Sequence, residues 1–186
     1  MLLLPRRLSG AFNALALRLS QVKSQQREAL LESFVGPRLH VLFGAAASQV
    51  LGDMNALRDH GFQPELRVVT QGYYIPTVMN YHVDRALSRI ICCYNGQATE
   101  FLNNEDAEHQ NPDRATGAFW AKAGAAPQNF QLGDIWRHKG VPLNCSGEID
   151  MRAAMAAAFI HRAPKMRLLS VPRLMVVGEV TAQPLI

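Results

Sequence analysis

Arg89-Ile90-Ile91-Cys92-Cys93-Tyr94-Asn95-Gly96-Gln97-Ala98-Thr99-Glu100-Phe101-Leu102 sets two short runs rich in β-branched and aromatic residues on either side of an Asn-Gly dipeptide. A two-residue type I′ turn needs positive φ at both central positions, which Asn-Gly tolerates best, so this stretch predicts a β-hairpin. Comparable runs surround it at Leu66 to Thr70, Ile75 to Val83, Asn129 to Leu132, Ile135 to His138 and Arg173 to Val180. Gln131-Leu132-Gly133-Asp134 has the form of a tight turn between two of them. Short strands at this frequency predict a sandwich or barrel.

The N-terminal third reads differently. Leu8, Phe12, Leu15, Leu19 and Val22 recur at helical spacing, predicting an amphipathic helix that runs to Leu31 or Phe34 and ends at Gly36-Pro37. Arg38 to Phe43 reads as a short strand, and Ala45 to His60 as a second helix closed by Gly61. Asn103 to Ala126 is a long polar insertion containing Phe119-Trp120, suited to a lid or a partner surface. Asp150 to His161, rich in alanine and methionine, reads as a helix or packed segment. The 186 residues form one domain by length, with residues 1–64 as helical support and 65–186 as the β body.

Composition narrows the function classes. With 48% apolar and 18% charged residues the chain is of ordinary globular type. Its apolar runs fall short of the roughly 20 residues a bilayer crossing needs, and Pro5-Arg6-Arg7 interrupts Met1-Leu2-Leu3-Leu4 before a signal-peptide core forms. We therefore read a cytoplasmic protein with no membrane partner. Three cysteines, two adjacent at Cys92 and Cys93, give neither a disulfide framework nor zinc spacing, and read as apolar or edge-facing strand cysteines in a reducing compartment. The net charge of +4 is concentrated at the two ends, and residues 46–115 are acidic. Basic ends without clustered aromatics or a reading motif argue against nucleic acid. Arg6-Arg7, Arg162, Lys165, Arg167 and Arg173 read as solvated or anion-handling groups.

Tyr81-His82-Val83-Asp84 carries the chemistry. On a strand, residues two apart share a face, so His82 and Asp84 can grip one metal ion. A second histidine, His161, precedes Arg173 by twelve residues. Two histidines and a carboxylate on a β scaffold make the facial set that holds non-haem Fe(II) with open positions. His138 is the rival to His161, while His40, His60 and His109 lie outside the presumed β body.

The order His82-x-Asp84, Gly96-x-x-Thr99-x-Phe101, Gly133-Asp134, His161 and Arg173 resembles that of the Fe(II)/2-oxoglutarate-dependent dioxygenases. More closely, Tyr81 to Asp84, Cys93 to Leu102, Leu132-Gly133-Asp134 and His161-Arg162-Ala163-Pro164 resemble a bacterial family of uncharacterised cupin-like proteins in that superfamily, over about residues 65–180. The resemblance implies an α+β protein whose double-stranded β-helix (jelly-roll, cupin-like) carries an N-terminal helical layer. It implies Fe(II) held by His82, Asp84 and His161. It also implies 2-oxoglutarate held by Arg173, with Arg167 as the reserve cation and Thr99 as an added hydroxyl donor. A guanidinium suits the distal carboxylate because its fork bonds both oxygens. Met175 stands where such enzymes often carry a small hydroxyl residue.

These readings converge on an Fe(II)/2-oxoglutarate-dependent oxygenase that hydroxylates a small-molecule or peptide substrate. The alternatives are a metal-binding cupin with non-oxidative or lost activity, and a non-enzymatic assembly or nucleic-acid-binding protein that uses its basic ends.

Overall fold

The structure, a computed structural model, describes residues 2–36, 40–70, 80–84, 86, 88–110, 118–140, 158–164 and 171–180. It is an α+β fold of three α-helices and two antiparallel sheets. The helices are α1 (Phe12–Ser20), α2 (Arg27–Val35) and α3 (Ala45–Asp59). The strands are β1 (Leu2–Leu4), β2 (Gln63–Val69), β3 (Tyr81–His82), β4 (Ser88–Cys93), β5 (Glu100–Leu102), β6 (Ala107–His109), β7 (Ala118–Ala121), β8 (Gln128–Asn129), β9 (Ile135–His138), β10 (Ile160–Arg162) and β11 (Arg173–Val180). One sheet has the order β1-β9-β4-β11-β2, the other β6-β7-β3-β10-β5-β8. From β2 to β5, and again from β8 to β11, consecutive strands alternate between the two sheets.

Strand parity explains the layers. Along β11, Leu174 and Val176 join Leu66, Cys92, Tyr94 and the buried faces of all three helices in one apolar cluster. Met175 and Val177, on the opposite side, pack with Ile91, Cys93, Phe130 and Trp136 and against Phe101 and Phe159 of the second sheet. The first sheet is thus buried on both faces, by the helices on one and by the second sheet on the other. The inward parity of its strands includes the polar residues Arg89, His138 and Arg173, which cost free energy to bury unless partnered.

Several expectations need correction. The N-terminal helix is broken, because between Leu19 and Leu31 there is no fully buried apolar residue to continue a face, and Lys23 is extended. His40–Gly44 is a π-helical turn entering α3, not a strand, and leaves Val41 and Leu42 exposed. Asn95-Gly96 does not make a type I′ hairpin: only Gly96 has positive φ, and β4 and β5 lie in different sheets. Asn95 serves instead as a buried cross-link. Its amide nitrogen donates to Asn13 Oδ1 (3.1 Å) and Pro172 O (2.9 Å), and its Oδ1 accepts from Leu174 N (2.6 Å).

The stretch between Asn103 and Ala126 supplies β6 and β7 to the second sheet, with Phe119 buried and Trp120 exposed. His109 therefore belongs to the β body. Leu2–Leu4 pairs with β9, so the N-terminal region is not wholly helical. Arg6 is no free surface cation: it holds Asp53 bidentately (2.6 and 2.7 Å), and Asp53 also accepts from the Tyr94 hydroxyl. Arg162 likewise holds Glu100 (2.7 Å) and covers the Tyr81 ring.

Other expectations agree with the fold. Gly61 closes α3 at φ +77°, and Gln131 to Asp134 is a turn. Gly133 (φ +89°) permits that turn, since a Cβ there would lie 2.7 Å from Arg6 O. Cys92 and Cys93 are buried free thiols, and burial pushes Cys92 up to about 12. Of the strand expected over 75–83, Tyr81–His82 is β3 and 75–79 lie outside the described residues. Of the helix or packed segment expected over 150–161, 150–157 lie outside them, and Ile160 and His161 belong to strand β10. Lys165 and Arg167 also lie outside the described residues. Among the described residues no helix is long and apolar enough to cross a membrane.

Candidate metal centre

β3 pairs antiparallel with β10, and His82 stands directly opposite His161. Their rings lie 4.6 Å apart. Two residues beyond His82, just past the end of β3, Asp84 is buried with its carboxylate toward both imidazoles. His161 Nε2 is 3.4 Å from Asp84 Oδ2, and His82 Nε2 is 3.9 Å from Asp84 Oδ1. One donor atom from each of the three lies within 4.8 Å of the others.

Backbone contacts fix the two imidazoles. His82 Nδ1 is 2.8 Å from Asn80 O and His161 Nδ1 is 3.1 Å from Phe159 O. A carbonyl only accepts, so each Nδ1 carries the proton and each Nε2 offers its lone pair to the Asp84 side. Metal-binding histidines are held in this way, the far ring nitrogen bonded to a carbonyl or carboxylate.

His138 meets the same carboxylate in a different role. From β9 its Nε2 lies 2.7 Å from Asp84 Oδ2, and the ring, fully buried, stacks on Trp136 at 4.9 Å. Its Nδ1 is buried with no hydrogen-bond partner among the described residues. His138 therefore donates its Nε2 proton to Asp84 and presents no lone pair there. Arg89, on β4, closes the other side by bridging Asp84 Oδ1 and Glu179 Oε1. Neither Arg89 nor Glu179 was singled out by the sequence reading. The available signal was a charged residue at the inward parity of an otherwise apolar strand, in register with His138 across β4 and β9.

The electrostatics follow. Burial alone would raise the Asp84 carboxyl, but the hydrogen bond from His138 and the charge of Arg89 act against this and hold it well below the usual carboxylate range. His161 moves the other way: burial lowers it to about 3 despite the neighbouring Asp84. At neutral pH an ionised carboxylate thus sits beside a neutral imidazole, the protonation states metal binding requires.

A cavity of about 760 Å³ opens onto this cluster, with His82, His161, Thr99 and Arg173 among its lining residues. Arg173 is buried, and its Nη2 donates to Thr99 Oγ1 at 3.1 Å and to Cys93 Sγ at 2.9 Å. The sequence-derived residues His82, Asp84, His161, Thr99 and Arg173 are therefore gathered at one cavity and its wall. A family model described as "Protein of unknown function (DUF1826)" matches residues 75–177, which include all five. The chain belongs to that family. No curated protein and no solved structure matches it.

Proposed function

We propose that this DUF1826 protein is an Fe(II)/2-oxoglutarate-dependent oxygenase, with His82, Asp84 and His161 holding the metal and Arg173 and Thr99 receiving the co-substrate. The observation that carries the reading is the placement of a two-histidine, one-carboxylate cluster and a buried arginine on one cavity. The strand order supports it. Without the additions β1, β6 and β7, the sheets read β2-β11-β4-β9 and β3-β10-β5-β8. Eight strands that alternate between two sheets are the arrangement a double-stranded β-helix of jelly-roll type calls for. The two histidines then lie on β3 and β10, Asp84 follows just after β3, and the arginine begins β11.

The residues fit the metal. Two neutral imidazole nitrogens and one anionic oxygen neutralise a single charge of a divalent ion and leave coordination positions open, the donor set of non-haem Fe(II). When bound, Fe(II) with 2-oxoglutarate supplies oxygen activation, which no side chain here provides. The protein's own groups position and shield. Asn80 O and Phe159 O orient the imidazoles, Arg89 and His138 orient Asp84, and the packed rings of Phe130, Trp136 and Phe159 shield the cluster from behind. The Arg173 fork is suited to a carboxylate, and the Thr99 hydroxyl beside it supplies the polar group absent at Met175.

A second reading rests on the carboxylate. Both Asp84 oxygens already receive protein donors, which favours a metal cupin without oxidative chemistry if those bonds persist around the ion. Arg173→Ala separates the two. In the oxygenase it weakens 2-oxoglutarate binding by more than about tenfold, since truncating one member of a buried charge pair costs roughly 2–5 kcal/mol, and bound iron, measured in the same protein, stays unchanged. Equal 2-oxoglutarate affinity in wild type and variant leaves the metal cupin.

A further inference from the structure

We infer that the substrate is a small anionic molecule, held by an oxyanionic group (carboxylate, phosphate or sulfate) between Lys23 and Arg27 at the outer end of the cavity. This inference rests on the oxygenase reading, because it concerns the space left once the co-substrate occupies Arg173. The cavity runs from buried His161, Thr99 and Arg173 to the segment joining α1 and α2, where Lys23 is exposed and Arg27 half-buried. Its described lining carries five cations, Lys23, Arg27, Arg67, Arg89 and Arg173, and one carboxylate, Glu65.

Pairing removes most of that charge. Arg67 is bonded to Glu65 at 2.6 Å, and Arg89 bridges Asp84 and Glu179. Fe(II) and the dianionic co-substrate cancel each other. Among the described residues Lys23 and Arg27 form no ion pair, although the Glu65 carboxylate also acts on Arg27, so the positive charge at the outer end of the described lining resides on these two. Arg27 is positioned by its Nε, which donates to Leu19 O at 3.3 Å. A cleft whose walls carry one sign of charge concentrates ligands of the other, and an ammonium beside a guanidinium offers several donors to one oxyanion. The site accordingly selects a substrate with an anionic end remote from the atom to be oxidised.

The test uses full-length protein loaded with Fe(II) and 2-oxoglutarate under nitrogen, with radiolabelled sulfate as the probe in equilibrium dialysis. Lys23→Gln/Arg27→Gln should bind sulfate at least tenfold more weakly than wild type. Arg58→Gln/Lys122→Gln, which removes the same charge from residues outside the cavity lining, should bind as wild type does. The iron–2-oxoglutarate absorption band should titrate identically in all three proteins. Sulfate binding that is absent, unchanged by the Lys23/Arg27 substitutions or competitive with 2-oxoglutarate overturns the inference. If no 2-oxoglutarate band forms while sulfate binding still depends on Lys23 and Arg27, the oxygenase reading fails and the anion site stands.

Discussion

Replacing His138 with phenylalanine separates a residue that orients a metal ligand from one that is a ligand. Phenylalanine keeps a flat aromatic ring for the stack on Trp136 and the contact with Phe159 at 5.4 Å, but it is larger than imidazole, and overpacking adds a cost of about 1 kcal/mol. What is lost is the 2.7 Å bond to ionised Asp84, a charged-group hydrogen bond of about 1.5–3 kcal/mol. What is relieved is the buried Nδ1, unpartnered among the described residues, whose desolvation costs about 1–3 kcal/mol. The two nearly cancel. The metal-free protein should therefore melt within a few degrees of wild type, at about 2–4 °C per kcal/mol for a chain of this size. Metal affinity should fall by about 10–100-fold, the usual result of losing an outer-sphere partner. Competition against a chromophoric chelator measures it, with His161→Ala as the reference for a true ligand loss. A fall as deep as that of His161→Ala refutes the orienting role and makes His138 a ligand, and unchanged affinity refutes the role of its bond.

Two further predictions concern the fold. Asp53→Ala strands the Arg6 guanidinium and the Tyr94 hydroxyl together and should cost about 2–4 kcal/mol in denaturant unfolding, whereas Arg58→Ala, which breaks an exposed pair with Glu28, should cost under about 1 kcal/mol. Acidification should destabilise the metal-free protein: His161 is held neutral down to about 3 against an ordinary 6.5, so the unfolded chain takes up its proton first and stability is lost as pH falls through that interval. Asp84, held below its ordinary range, acts in the same direction. His161→Gln should flatten the slope of melting temperature against pH between about 6.5 and 4.

The residues gathered at the cavity were legible in the sequence for a simple reason. His82 and Asp84 are two residues apart at the end of β3, so their proximity is local. His161 and Arg173 were legible only through their order along the chain. Arg89, Glu179 and the true partner of His138 were not, because they meet Asp84 through sheet-to-sheet packing that no local pattern encodes. Asn95 misled for a related reason. Its turn preference is real, but three long-range hydrogen bonds outweigh it. β6 and β7 escaped notice because they are short strands at the end of a sheet, where polar residues face solvent and the apolar alternation fades. The N-terminal helix does not continue across Ser20 to Gln26, where the one apolar residue, Val22, is only half-buried.

The most direct test of the central claim is anaerobic titration of the protein with Fe(II) and then 2-oxoglutarate, followed by visible absorption. Chelation of the 2-oxo acid by iron held on His82, Asp84 and His161 predicts a charge-transfer band that saturates at one equivalent of each and is missing from His161→Ala. Tight iron binding with no band at saturating 2-oxoglutarate would contradict the account.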